Sequence, residues 1–287
     1  MSVVRAARLM PIGAMALNLL AATPVDAQPA RQPAGSVTYT LPQNPIHLPI
    51  HDRLKAERWL ERMQAVFQTF RLPRPVALKI ESCGEVDASF SRGTVGLCYE
   101  YLHVVMRRIE SGQLAAWVTP GEALAGAFVD VVLHEFSHAL VEQLRLPVLG
   151  REEEAADQLS AYMILQFGGD DAAGLIRGTA HMYLSWIIFF QSRALAPLGS
   201  GVSPREARPH PTAGQRLYNL VCLALGSDHE AYAVLAKAVD LPQERAKDCT
   251  GEFAQIERAW RTLVRPHVNP ALDAEVRREL GFFTSVK

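Results

Sequence analysis

The decamer VVLHEFSHAL, Val131 to Leu140, places His134 and His138 four residues apart, with Glu135 beside the first, in a run that is otherwise apolar. At helical spacing residues i and i+4 lie on one face, so the two imidazoles can share one tetrahedral cation while Glu135 points beside it. Leu124, Phe128, Val131, Val132, Leu133, Phe136, Ala139, Leu140 and Val141 surround these polar groups on nearly every side, which predicts a buried helix. A chance match would sit on a solvated face instead. Ionisable groups in a core are costly unless they are paired or bind a metal, and for these donors zinc is the expected ion. The rest of the chain must therefore enclose this helix, supply a third ligand and leave one coordination position open for water.

The third ligand is expected from the next helix. Pro120 and Gly121 reset the chain, and the metal-binding helix runs from Glu122 to Leu144. Leu146, Pro147, Val148, Leu149 and Gly150 then turn it back into a helix from Arg151 to Gln166. That helix opens REEEAADQ. Glu152, Glu153 and Glu154 are all candidates, and an acidic first turn also complements the helix dipole with no metal involved. Glu153 is preferred because Asp157, four residues on and on the same face, can accept a hydrogen bond from the outer nitrogen of a ligating histidine. Glu154 with Asp157, three apart, is the alternative.

With these residues in place, the chain resembles the gluzincin metallopeptidases, in which HExxH on one helix is followed on the next by Glu and then Asp four further on. The form ExxAD, Glu153 to Asp157 with Ala156 before the Asp, and the segment HPTAGQR, His210 to Arg216, are similar to the HtpX-like and prenyl-protein endopeptidase branch. CYE at Cys98 to Glu100, PVLGREEEAADQ, QRLYNLVC at Gln215 to Cys222 and the late Cys249 resemble a family of exported bacterial metallopeptidases, over most of the chain from Ala77 to His267. The resemblance implies one Zn2+ per chain held by His134, His138 and Glu153, with Glu135 as general base. It also implies His210 as oxyanion donor, and Arg216 binding substrate or buttressing the site. Read from the residues alone, His210 can instead open a helix ahead of Pro211, and Arg216 can form a structural ion pair. The chain departs from the HtpX-like branch in showing no transmembrane helices.

The first residues, MSVVRAARLMPIGAMALNLLAATPVDAQ, combine a basic start at Arg5 and Arg8, an apolar core from Leu9 to Ala22 and the small-residue end Val25, Asp26, Ala27. This is the pattern of a secretory signal peptide over residues 1–27. Its apolar run, about 14 residues, falls short of the roughly 20 that span a bilayer, so no membrane span is expected in the mature chain. Export to the periplasm or the extracellular space suits an even cysteine count. Cys83, Cys98, Cys222 and Cys249 allow three pairings, of which 83 with 98 and 222 with 249 is the simplest. With no CxxC pair, a cysteine-ligated zinc is not expected. A net charge of −1 argues against a nucleic-acid partner.

Residues 28–50, carrying Pro29, Pro33, Pro42, Pro45 and Pro49, read as an extended lead-in, and residues 51–287 as a single domain. Asp52 to Phe70 has the periodicity of one amphipathic helix. Val76 to Glu81 and Thr94 to Tyr101 read as two paired strands. Helices are expected over His103–Ser111, Ala172–Ala196, Pro211–Leu225, Pro242–Leu263 and Pro270–Leu280, with Asp228 capping one more. If a strand edge lies beside the metal-binding helix, an extended peptide can add to it. The expected fold is a mostly helical α+β, zincin-like domain with a small sheet preceding the HExxH helix. The expected function is zinc-dependent hydrolysis of peptide or protein substrates. Two other classes use the same residues: a zinc-retaining scaffold without activity, against which the intact Glu135 argues, and an amidohydrolase acting on cell-wall or other non-peptide amides.

Overall fold

Leu78, Ile80, Val95 and Leu97 alternate with polar or small residues, and in the computed structural model they are buried on one face of a four-stranded sheet. The structure describes residues 35–193 and 211–269, with 279, 281–283 and 285 near the C-terminus, all within the compact unit Gln32–Lys287. The expected signal peptide, His210 and nearly all of the helix expected over Pro270–Leu280 lie outside the described residues. Strands β1 (Val37–Tyr39), β2 (Ala77–Glu81), β3 (Ala88–Ser91) and β4 (Thr94–Cys98) are ordered β1-β2-β4-β3. β1 is parallel to β2, and β2 to β4 with Lys79 opposite Gly96; β3 is antiparallel to β4 with Ser89 opposite Gly96. Arg92 and Gly93 join β3 to β4, both at positive φ (50° and 76°), as a two-residue hairpin turn requires. The two expected strands thus pair. β4 ends at Cys98 rather than Tyr101, and β3 lies within their connection.

From residue 35 onward the proline-rich segment is part of the fold, not a lead-in. Thr38 pairs with Lys79, and the Tyr39 hydroxyl donates to Glu61 Oε2 (2.7 Å) while accepting from the Leu60 amide (3.0 Å). Pro45 opens a 3-10 turn capped by Asn44, and Pro49 stands in the first turn of α1 (Leu48–Ala56), where a missing N–H costs no intrahelical bond. The one helix expected over Asp52–Phe70 is two, α1 and α2 (Trp59–Phe67). Arg58 between them is left-handed (φ 58°), and Glu57 accepts from Trp59 Nε1 (2.7 Å). The break sends Trp59 into the core, edge-on to Phe128 and Phe283 at centroid distances of 4.8 and 5.1 Å.

Further along the described residues come α3 (Tyr99–Glu110), α4 (Pro120–Leu144), α5 (Glu152–Leu165), α6 (Gly169–Arg193), α7 (Ala213–Ser227), α8 (His229–Ala238) and α9 (Gln243–Leu263). α4 is the hub, in contact with α2, α3, β3 and β4 and also with α5 and α6. By length and composition it could cross a membrane, but 83% of its apolar window is buried inside the protein, which makes it a core helix. A capping box starts it: Thr119 Oγ1 accepts from the Glu122 amide (3.2 Å) and the Glu122 carboxylate accepts from the Thr119 amide (2.9 Å). Gly126 and Gly178 let α4 and α6 meet backbone to backbone. A Cβ on Gly178 would fall 1.8 Å from the Glu122 carbonyl oxygen, and one on Gly126 would fall 2.5 Å from the Thr179 nitrogen.

Cys83 is bonded to Cys98, closing the excursion that carries β3, and Cys222 of α7 to Cys249 of α9. This is the local pairing. For a loop of the first size, chain entropy gives about 3 kcal/mol.

Candidate metal centre

The turn between α4 and α5 brings the first residues of α5 back onto the middle of α4. His134, His138 and Glu153 each present one ligand atom, and these atoms lie within 4.8 Å of one another. His134 Nε2 is 3.2 Å from Glu153 Oε2, and His138 Nε2 is 3.6 Å from the same oxygen. The opposite nitrogen of each ring is already engaged. Nδ1 of His134 is 2.8 Å from Asp157 Oδ1, and Nδ1 of His138 is 2.8 Å from Glu152 Oε1. With Nδ1–H donating to those carboxylates, both Nε2 lone pairs turn toward Glu153.

The three consecutive glutamates have three destinations. Glu152 orients His138, Glu153 faces both Nε2 atoms, and Glu154 lines a cavity that also holds Asp157 and Arg216. Successive helical residues are about 100° apart, so one run of carboxylates can serve three directions. The group favours positive charge. Burial opposes protonation of His134, yet the hydrogen bonds to Asp157 and Glu153 outweigh it and lift its pKa to about 9. His138 is raised as well, first by its hydrogen bond to Glu153 and against its burial. Two imidazoles and a carboxylate that attract a proton this strongly suit a divalent cation, and the nitrogen–oxygen set is one that zinc-type ions take.

Glu135, 7% exposed, stands next to His134 on α4. Burial pushes its carboxyl up, the two imidazoles pull it down, and the charges of Glu153 and of Asp87, just ahead of β3, push it up again. That influence of Asp87 agrees with the contact of β3 on α4, which puts the terminal strand of the sheet alongside the helix that carries His134 and His138.

Arg216 supports the far edge of His134. Its helix, α7, starts at a second capping box formed by Thr212 and Gln215, so the cap is Thr212. The Arg216 guanidinium donates through Nη2 to Asp157, the same carboxylate that accepts from His134, and lies 4.7 Å from the centre of the Tyr183 ring. Burial opposes the charge on Asp157, and Arg216 and His134 together overcome it and hold its carboxyl low. Behind Arg216, Asp130 accepts from the Tyr183 hydroxyl (2.8 Å) and from Ser160 Oγ (3.2 Å). Sequence reading misses Asp130 altogether, and it takes Glu152 only as a candidate ligand, not as the partner of His138. Asp130 carried a usable signal: with His134 and His138 it forms an i, i+4, i+8 series on one face of α4. His181 packs near Trp117 and Ser185, outside the ligand group.

The unit is a mostly helical α+β fold in which His134, His138 and Glu153 converge between core helices as a group that could hold a metal ion, beside the buried Glu135. Residues 39–264 match the family described as "Putative metallopeptidase", and the chain belongs to that family. No curated protein and no solved structure matches it.

Proposed function

We propose that the protein is an exported zinc peptidase of the gluzincin type. His134 and His138, through Nε2, and Glu153 hold the ion. Bound there, zinc supplies Lewis acidity that polarises the scissile carbonyl and acidifies water. Glu135 takes the proton of the attacking water on its carboxylate and returns it to the leaving nitrogen. Asp157 and Glu152 keep the two rings turned inward, and Arg216 holds Asp157 in place. An extended substrate segment adds to the outer edge of β3, which is the last strand of the sheet among the described residues and touches α4. His210 donates to the oxyanion. Two disulfides agree with an oxidising compartment.

The observation that carries this reading is the division of labour around each ring, with Nδ1 on a carboxylate and Nε2 on Glu153. A scaffold that only retained metal would have no use for Glu135 buried at its side. Metal analysis of the purified mature protein tests the reading, together with hydrolysis of a peptide panel. About one zinc per chain is expected in wild type and in Glu154→Ala, and none in Glu153→Ala. Glu135→Gln should keep the metal and lose hydrolysis. A wild-type protein that takes up no zinc under any loading condition ends the proposal.

A further inference from the structure

Behind the candidate metal centre a largely buried arginine has two carboxylates within electrostatic range and bonds to only one of them. Arg216 of α7 donates to Asp157, which also accepts from His134; Arg216 Nη2 and His134 Nδ1 are 3.4 Å apart as they meet on it. Asp130 of α4, 2% exposed, feels the charge of Arg216 but forms no ion pair with it among the described residues. The guanidinium is not saturated either, since Arg216 Nε is buried without a hydrogen-bond partner. In a medium of low dielectric a carboxylate and an under-bonded guanidinium attract strongly, so an Asp130 left to itself would compete with Asp157 for Arg216.

Two hydroxyls restrain it. Tyr183 of α6 donates to Asp130 Oδ2 (2.8 Å), and Ser160 Oγ of α5 lies 3.2 Å from Oδ1 and 3.1 Å from the Asp130 carbonyl oxygen. Neutral donors thereby engage both oxygens of the carboxylate. Burial pushes the Tyr183 phenol well above its ordinary pKa of 10, against the pull of Arg216, so the hydroxyl stays a donor. The same side chain sets its ring 4.7 Å from the guanidinium carbon of Arg216. Tyr183 thus touches both members of the pair that it keeps apart.

We propose that Tyr183 is a positioning residue of the metal centre: its hydroxyl, helped by that of Ser160, holds the Asp130 carboxylate off Arg216, so that Arg216 keeps Asp157 and Asp157 keeps the His134 ring turned toward the ion. Tyr183 acts through these side chains and not on substrate or metal. The inference rests on the reading of His134 as a ligand and is independent of what the centre hydrolyses.

Rescue tests it. Chelator competition reads zinc affinity, and proton NMR of the metal-free protein reads the hydrogen-bonded Nδ1–H of His134. Tyr183→Phe, which keeps the ring under Arg216 and removes only the hydroxyl, should weaken zinc about tenfold and broaden or shift the His134 signal. Adding Asp130→Asn removes the competing charge and should restore zinc to within about twofold of wild type and return the signal, whether or not thermal stability recovers. Ser160→Ala, a small change that does not endanger folding, should weaken zinc about threefold, with the same rescue. A merely structural role predicts the opposite order, with each double variant at least as weak as its parent. Wild-type zinc affinity in Tyr183→Phe, or failure of Asp130→Asn to rescue either single variant, overturns the proposal. A wild type that takes up no zinc ends the metal reading, and the metal-free spectra then decide the inference: a His134 signal unchanged in Tyr183→Phe and in Ser160→Ala overturns it.

Discussion

Asp157 and Glu152 make the same bond to their histidines, at the same 2.8 Å, but in different surroundings, and that difference yields a paired prediction. The Asp157 side chain is 14% exposed and also holds the guanidinium of Arg216; Glu152 is 51% exposed and, among the described residues, holds only His138. Replacing Asp157 by Ala strands a largely buried arginine. Breaking a buried pair costs about 3–5 kcal/mol, and the lower end applies here because Arg216 keeps the face of Tyr183 and the nearby Asp130. Glu152→Ala removes a half-exposed partner, worth under about 1 kcal/mol. For zinc the two should look alike, since loss of a carboxylate behind a ligating imidazole weakens binding about 10- to 100-fold. Urea unfolding of the metal-free variants reads the first quantity, and competition with a chelator of known affinity reads the second. Equal loss of stability in both variants, or unchanged zinc affinity in Glu152→Ala, would show that the reasoning about these pairs is wrong.

Gly178→Ala carries a prediction of sign. In an ordinary helix interior the change stabilises by about 1 kcal/mol, but here the added carbon meets the Glu122 carbonyl oxygen, so α4 and α6 must separate at a cost of about 3 kcal/mol. A net loss near 2 kcal/mol, about 4–8 °C in melting temperature, is expected, and a thermal scan showing no loss refutes the contact. Acid sensitivity follows from Glu122. Burial opposes its charge, yet hydrogen bonds from Arg177 and Thr119 prevail and hold its carboxyl below the ordinary value of 4.5. A depressed folded-state pKa contributes stability that is complete above the unfolded value and lost as pH falls through the folded one. Glu122→Gln should therefore be less stable than wild type near neutral pH, with the gap closing below about pH 4; a gap independent of pH would refute the assignment.

What could be read in the sequence and what could not divide along the distance over which each signal acts. HExxH, the returning helix and the Glu153–Asp157 spacing are local periodicities, and the structure brings those residues together at the expected places. β1 and β3 escape such reading because Val37–Tyr39 sits among prolines and Ala88–Ser91 is short and half polar; each is a strand only through pairing with β2 or β4. The split at Arg58 is hidden because the left-handed residue is not glycine. Asp130 gains its meaning from Ser160 on α5 and Tyr183 on α6, 30 and 53 residues away. The proline-rich opening misleads for a definite reason: Pro45 and Pro49 start helical turns, and composition alone does not tell a helix start from an extended linker.

The run Glu152-Glu153-Glu154 gives the centre a tolerance that its surroundings lack. Lengthening the turn between α4 and α5 by one residue would rotate α5 by about 100° and bring Glu152 to the place of Glu153; shortening it would bring Glu154 there. In either case a carboxylate still meets the two imidazoles. The place of Asp157, however, would pass to Ala156 or to Gln158, and neither can carry the charge that links His134 to Arg216. The candidate ligand is thus present in triplicate and its aspartate support only once. A loop free to drift in length would preserve a carboxylate opposite the two imidazoles long before it preserved the geometry, so among chains built on this plan a glutamate at that place is a poorer sign of an intact centre than the aspartate–arginine pair behind it.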